Sequence, residues 1–271
     1  MKKIIIMLSC FILISSIVSE ERIILTDQNT YGGRTIKYVL SPQDKYGDQI
    51  KNMYYFYDNK EIITEVLYEF NESKANDFGF KNQREIYRNG IISEYKLEVT
   101  DKEKKIKGIS WQIERVDSQG NIYEYEYSDG VNTAKSNPQS FVINYPFYSL
   151  PYLEEVLFED YEENKNGDVY TFSMVYWKAR TFIEFVSDPV IVNESDKNKV
   201  NIYLSHLNQQ QYTDNYSHKV NIKYFNKQYT CYLQSNFVKY IKKNDKCLLT
   251  YQLMGINKDL IILATEFNEI E

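Results

Sequence analysis

The chain of 271 residues has 38 acidic and 32 basic side chains and a formal net charge of −6. It contains 26 tyrosines but only ten glycines and five prolines, which excludes a disordered or collagen-like protein. The acidic balance argues against a nucleic-acid partner, because nucleic-acid phosphates are bound by clustered lysine and arginine. We therefore predict a globular protein that does not bind nucleic acid.

The N-terminus has the three parts of a secretory signal peptide. Lys2 and Lys3 form a basic start, residues 4–14 form an apolar core, and small residues follow up to Ser19. We predict that residues 1–19 are removed as a signal peptide, which changes the formal charge from −6 to −8. No later stretch reaches the ~18 apolar residues of a membrane helix. We expect an exported protein without a transmembrane segment, which is periplasmic, associated with the outer envelope or extracellular.

Most of the chain alternates apolar and charged residues with a period of two, as is typical of antiparallel strands with one solvated face. Residues 91–99 show this most clearly, with Tyr95 and Leu97 on one face and Glu94 and Lys96 on the other. Helix signals are scarce by comparison. The pattern predicts a mostly β fold: an antiparallel meander of hairpins, arranged as an open sheet, half-barrel or sandwich, with one or two short helices.

Turn signals recur about every 30 residues in the first half of the chain. Residues 57–65, 87–94 and 117–124 each carry a turn dipeptide, two apolar positions and then glutamate. The Asn-Gly pair at residues 89–90 is the strongest of these signals, because both central residues of a tight hairpin must accept positive φ. This recurrence resembles the hairpin arrays of MORN-type repeat families, a likeness that implies no activity. We predict a β-meander over residues 20–135.

A segment with three prolines, residues 131–151, separates this meander from a second β-rich part at residues 136–271. A serine that can cap and an early proline begin the strongest helix signal, which we place near residues 150–162. From His218 onward, hairpin turns predict either a small barrel or the completion of one large sheet. The second part is therefore a separate domain or a continuation of the first.

Residues 121–130 carry tyrosines at alternate positions, so that Tyr123, Tyr125 and Tyr127 share one face of a strand. Our first interpretation is packing across strands, because tyrosine suits the margin of a half-buried sheet. The alternative is an exposed aromatic strip that binds a sugar or peptide. We name these tyrosines and Trp111 as the candidate ligand-binding residues.

Cys231 and Cys247 follow the signal peptide, and both alternate in phase with apolar neighbours. An exported chain permits one disulfide between them, and two buried free thiols are the alternative. His206 and His218 lack the spacing of a metal site, and residues 162–173 match only the first half of a calcium loop. We predict no metal and no cofactor.

Catalytic motifs are absent from the sequence: it contains no GxSxG, HExxH or CxxC pattern, so that no catalytic residue is predicted. We expect a non-catalytic binding or structural role with an unknown envelope or extracellular ligand. Two alternatives stay open, an extracytoplasmic hydrolase of glycans or peptides and a half-barrel carrier of an apolar ligand. The sequence leaves the oligomeric state open.

Overall fold

A computed structural model of the chain shows its architecture. The residues that it describes are 21–25, 29–42, 46–136, 145–164, 171–173, 178–256 and 259–270. The predicted signal peptide at residues 1–19 lies outside them, and the side chains of the calcium-like stretch at residues 162–173 are not described either. The expectations for these two stretches stay predictions.

The predicted mostly β fold with short helices is confirmed. The first nine strands of the described residues are β1 (Glu21–Leu25), β2 (Gly32–Val39), β3 (Ile50–Asp58), β4 (Ile63–Phe70), β5 (Phe80–Arg88), β6 (Ile91–Val99), β7 (Trp111–Val116), β8 (Ile122–Ser128) and β9 (Thr133–Ser136). The next seven are β10 (Thr171–Ser173), β11 (Ala179–Phe185), β12 (Val190–Ile191), β13 (His218–Tyr224), β14 (Lys227–Leu233), β15 (Lys246–Ile256) and β16 (Asp259–Glu269). The helices are α1 (Glu72–Phe78), α2 (Asp101–Lys107), α3 (Leu150–Asn164) and α4 (Glu194–His206), with 3-10 helices at Gln210–Asn215 and Ser235–Tyr240.

The chain forms two compact units. Unit 1 contains Met1–Thr100 and Gln112–Tyr123, and unit 2 contains Asp101–Trp111 and Glu124–Glu271. The domain division that we placed at residue 136 stays a prediction.

Unit 1 is an antiparallel meander in which β1 to β6 pair in chain order. The Asn-Gly turn at residues 89–90 joins β5 to β6, and its two φ angles of 54° and 76° are those that a tight hairpin requires. Side chains on both faces of β6 are mostly half-buried. Long amphipathic side chains such as tyrosine, lysine and glutamate therefore cover this sheet and shield its strands.

Five strands of unit 2 close into a barrel. β11 pairs with β13 and β15, β13 pairs with β14, and β15 pairs with β16. A short parallel contact between β14 and β16 closes the ring, with Cys231 opposite Ile262 and Tyr232 opposite Leu263. Of the two alternatives left open from His218 onward, a small barrel or the completion of one large sheet, the structure has the barrel, with β11 as its first strand.

The barrel interior is filled by apolar side chains that alternate along the strands. Its fully buried members include Val220, Ile222, Cys231, Leu233, Leu249, Tyr251, Leu253, Ile262 and Ala264. Helix α3 packs closely on β15, because a Cβ at Gly255 would overlap the Leu157 side chain. The absence of a side chain at Gly255 therefore lets the helix approach the strand.

Helix α4 packs on the outside of the barrel through a second apolar cluster. Val200, Ile202 and Leu204 occupy alternate positions, as residues on one face of a strand do, but they lie on a helix. The buried apolar residues of α4 are Val200, Tyr203 and Leu204, which have helical spacing, whereas Ile202 is exposed. Within the described part of the chain, no helix is long and apolar enough to span a membrane.

Two isoleucines of unit 2 allow a test of which side chains are buried in the barrel and which are exposed on α4. Ile222 is fully buried in the barrel, and Ile202 on α4 is 41% exposed. We expect Ile222→Ala to lower the free energy of unfolding of the barrel by about 2–5 kcal/mol, because it leaves a cavity. Ile202→Ala should change it by no more than about 0.5 kcal/mol. Amide hydrogen exchange of β13 across urea concentrations measures both, and equal losses would contradict the packing.

Candidate functional site

The tyrosine row of β8 runs from solvent into the core. Tyr123 is 54% exposed, Tyr125 is half-buried, and Tyr127 is 6% exposed. The Tyr127 ring lies 4.8 Å from the ring of Phe147 between centroids. Trp111 begins β7 and is half-buried. Tyr127 therefore packs inside unit 2, and a ligand-binding role for these residues stays a prediction.

The two cysteines are free thiols inside the barrel. Cys231 on β14 and Cys247 on β15 are both buried, and neither forms a disulfide. Burial raises the pKa of Cys231 to about 12. A thiol held in its protonated form is a poor nucleophile, so that these cysteines act as small apolar residues.

Within the described residues, no three His, Cys, Asp or Glu side chains come together as a metal site would require. His206 is exposed at the end of α4. His218 begins β13, and its Nδ1 lies 2.9 Å from the hydroxyl of Ser217. The two histidines therefore lie on separate elements, and each has its own surroundings.

Unit 1 contains a buried carboxylate with three hydrogen-bond donors. Glu85 on β5 accepts from Tyr87 at 2.8 Å, Tyr68 at 3.2 Å and Gln83 at 3.3 Å. Burial raises the pKa of Glu85, and the three donors act in the opposite direction. Because its oxygens are engaged by neighbouring side chains, this cluster joins β4 to β5 and has the character of a structural network.

Unit 2 contains a polar cleft with a volume of about 390 Å³. The side chains that line it come from α3, α4, β13, β14 and the first two residues of β16. α3 and α4 supply carboxylates, and the strands supply most of the lysines and hydroxyls. The cleft is the candidate functional site, because it is a concave surface on which polar groups from five elements converge.

Three lysine–carboxylate pairs line this cleft. Their nitrogen–oxygen distances are 2.5 Å for Lys227 and Glu154, 2.7 Å for Lys219 and Asp196, and 3.0 Å for Lys199 and Asp259. The three positive and three negative charges balance. The cleft thus presents many hydrogen-bonding groups without a net charge.

The capping box of α4 fixes Asp196 in the cleft wall. The Asn193 side chain accepts from the backbone N–H of Asp196 at 2.9 Å, and the Asp196 carboxylate accepts from the backbone N–H of Asn193 at 3.2 Å. The same carboxylate accepts from the Tyr232 hydroxyl at 3.2 Å. Burial acts to raise the pKa of Asp196, but Lys219 and the other donors outweigh it and hold that pKa below its ordinary value.

Glu154, the other inner carboxylate of the cleft, is also bound by one tyrosine and one lysine. Its carboxylate accepts from the Tyr229 hydroxyl at 3.0 Å and pairs with Lys227. Burial raises the pKa of Tyr229, and the negative charge of Glu154 adds to the effect. Each inner carboxylate of the cleft is therefore held by one lysine and one tyrosine.

A lysine binds each of the three carboxylates, and Gln228 and Thr230 on β14 add uncharged polar groups to the lining. A site of this kind can both donate and accept many hydrogen bonds. Sequence reasoning did not find these residues. The one local signal was Asn193 three residues before Asp196, which has the form of a helix start.

Comparisons of the chain with protein families, with curated proteins and with solved structures give no match. The resemblance to MORN-type repeats thus gains no support from a family match.

Asp196 and Asp259 allow a matched test of the cleft wall. We expect Asp196→Asn to lower the free energy of unfolding by about 1–3 kcal/mol, because charged hydrogen bonds are lost. The Asp259 pair is largely exposed, with side chains 41% and 68% accessible, so that Asp259→Asn should cost less than about 1 kcal/mol. Urea unfolding at neutral pH measures both losses.

The same pair of variants gives a pH signature. The folded-state pKa of Asp196 lies below its unfolded value of about 3.9, so its contribution to stability is complete above that pH. That contribution is lost as the pH falls through the folded-state pKa. The stability difference between the native chain and Asp196→Asn should therefore shrink in acid. A difference that is independent of pH would contradict the ion pair.

Proposed function

We propose that this protein is an exported, non-catalytic binding protein whose cleft in unit 2 binds a neutral oligosaccharide. The observation that carries the proposal is the lining of the cleft, where lysines and carboxylates are paired in equal number. Sugars are bound through many hydrogen bonds to such fixed polar groups, and they bring no charge of their own.

The pairing argues against a charged ligand. An anion would approach lysines that already bind carboxylates, and it would face Glu154, Asp196 and Asp259. A cation would approach carboxylates that already bind lysines, and the three lysines would repel it. A hydroxyl-rich ligand can instead donate to the remaining lone pairs of the carboxylates and accept from the lysines without separating the pairs.

The architecture of the barrel supports the same ligand class. Five-stranded Greek-key barrels of the OB type bind oligosaccharides or oligonucleotides on their second and third strands and the adjoining loops. Counted from β11, those strands are β13 and β14, which line the cleft together with α4 from the preceding connection. This likeness is one of architecture alone. The three carboxylates favour the oligosaccharide over the oligonucleotide, because phosphates would be repelled.

The hydrolase and carrier alternatives have less support. Glycoside hydrolysis needs one protonated and one ionised carboxylate beside the same bond, whereas both inner carboxylates of the cleft pair with lysine. A carrier of an apolar ligand needs an apolar cavity. The cleft is polar, and apolar side chains fill the described interior of the barrel.

Calorimetric titration of the full chain with short neutral oligosaccharides of glucose, galactose and N-acetylglucosamine tests the proposal. We expect at least one of them to bind. Gln228→Ala and Thr230→Ala should each weaken that binding about five- to tenfold, because each removes a hydrogen bond within the cleft. These two side chains hold no ion pair in the described structure, so the cleft itself should persist.

Gln210→Ala is the matched control for this titration. Gln210 is exposed like Gln228, but it lies in a 3-10 helix and does not line the cleft. Its replacement should leave the affinity unchanged. Failure of every sugar to bind would contradict the proposal, and so would binding that Gln228→Ala and Thr230→Ala leave intact.

Export is the second part of the proposal, and the basic and apolar segments of residues 1–19 support it. We expect protein isolated from the extracytoplasmic fraction of its native host to begin near Glu20. N-terminal sequencing measures this directly. A chain that keeps Met1 and stays in the cytoplasm would contradict export.

A further inference from the structure

Among the described residues of unit 2, five buried side-chain polar atoms have no hydrogen-bond partner, and three of them are Arg180 Nη1, Ser136 Oγ and Thr250 Oγ1. Buried polar groups are almost always paired, so that each exception calls for an explanation such as an ion or a water molecule. All three can donate a hydrogen bond. The strand pairings show which side of its sheet each of these three side chains faces.

Arg180 and Thr250 lie on the same face of the barrel wall. They are directly opposite each other in the antiparallel pairing of β11 and β15. Opposite residues of such a pair point to one side of the sheet. Arg180, unlike the alternate residues Ala179 and Ile183, does not belong to the apolar interior of the barrel. The side chains of Arg180 and Thr250 are therefore on the outer side of this wall.

Ser136 lies on the hairpin that covers this wall. In the pairing of β8 with β9, Tyr125 is opposite Ser136 and Tyr127 is opposite Ala134. These four residues consequently share one face of the hairpin. Ser136 Oγ is thus directed to the same side as the buried ring of Tyr127.

The face of the β8–β9 hairpin that carries Tyr127 meets the outer face of β11 and β15 through aromatic rings around Arg180. The Arg180 guanidinium carbon lies 5.1 Å from the Tyr127 ring centroid and 4.4 Å from that of Phe147. Phe147 in turn stacks on Phe182 of β11 at 6.2 Å. A ring of the hairpin and a side chain of the barrel wall therefore contact each other, and the Arg180 guanidinium lies between aromatic rings.

The charge of Arg180 lacks a carboxylate within the described residues. Arg180 is 2% exposed, and its Nε donates to the Tyr145 carbonyl at 3.0 Å. Glu266 is opposite Thr250 in the sheet, but it pairs with Lys178 at 3.5 Å. A guanidinium stays protonated in proteins, and the aromatic faces together with a hydrogen bond to the Tyr127 side chain compensate only part of the cost of burying it.

We infer that a small monovalent anion of the size of chloride binds in this layer. Arg180 Nη1 is its charged ligand, and the hydroxyls of Ser136 and Thr250 are further donors. The anion is small because all three atoms are closed to solvent. An anion neutralises the guanidinium, which a water molecule in the same place does not. This site is distinct from the cleft and does not depend on the proposed sugar.

Bromide replaces chloride and has an anomalous X-ray signal, so that a crystal of the full chain grown in bromide shows the site directly. We expect an anomalous peak within hydrogen-bond distance of Arg180 Nη1. In solution, the Tm should rise with chloride concentration at constant ionic strength set with gluconate, because a ligand of the folded state stabilises it. A water molecule or a protein oxygen at Nη1 would overturn the inference.

Two variants complete the test. Thr250→Val keeps the shape of the side chain and removes one donor, so that it should weaken the chloride dependence of Tm at least several-fold. Lys178→Met, which removes a neighbouring cation that already pairs with Glu266, should preserve it. A bromide peak accompanied by a Tm that does not depend on chloride would show binding at crystal concentration only. That result would also overturn the inference.

Discussion

The closure of the barrel by two residues of β14 and two of β16 is the constraint on which the rest of unit 2 depends. The parallel contact places Cys231 opposite Ile262 and Tyr232 opposite Leu263. Because side chains alternate along a strand, this register directs Cys231 into the barrel and Tyr232 outward to α4. A slip by one residue would exchange the two side chains. It would bury a tyrosine in a filled core and remove the hydroxyl that binds Asp196.

The outward direction of Tyr232 helps to form the cleft. Tyr232 anchors Asp196 at the start of α4, and the neighbouring strand provides Lys219 as the counter-ion. Tyr229 and Lys227, which share the face of Cys231 on β14, hold Glu154 of α3. The polar groups are thus fixed by the barrel before any ligand arrives. A site that is already ordered loses little side-chain entropy on binding, which suits a recognition surface.

Local signals in the sequence predicted the local structure. The alternation of residues 91–99 and the Asn-Gly pair at residues 89–90 predicted β6 and its hairpin, because both depend only on neighbours along the chain. Helix α4 was missed because Val200, Ile202 and Leu204 alternate like a strand. Asn193 is the better indicator of this helix, because an asparagine at the N-cap hydrogen-bonds the free backbone N–H groups of the first helical turn.

The candidate site was beyond prediction for a different reason. Its carboxylates, Glu154, Asp196 and Asp259, are far apart in sequence and meet only through the closed barrel and its two helices. The tyrosines of β8 show a similar limit of prediction from sequence. Alternation predicted that they share one face of the strand, but not that Tyr123 is exposed while Tyr127 is buried. Burial depends on which element packs against a strand, and that is a tertiary property.

The most direct test of this account is a map of backbone amide chemical shifts of the full chain during titration with a neutral oligosaccharide that binds it. The account predicts that the largest shifts occur at Lys219, Gln228, Thr230 and Asp259, which line the cleft on the barrel strands. Shifts confined to the tyrosine-rich strands of unit 1 would contradict it, because the sheet of unit 1 would then be the binding surface.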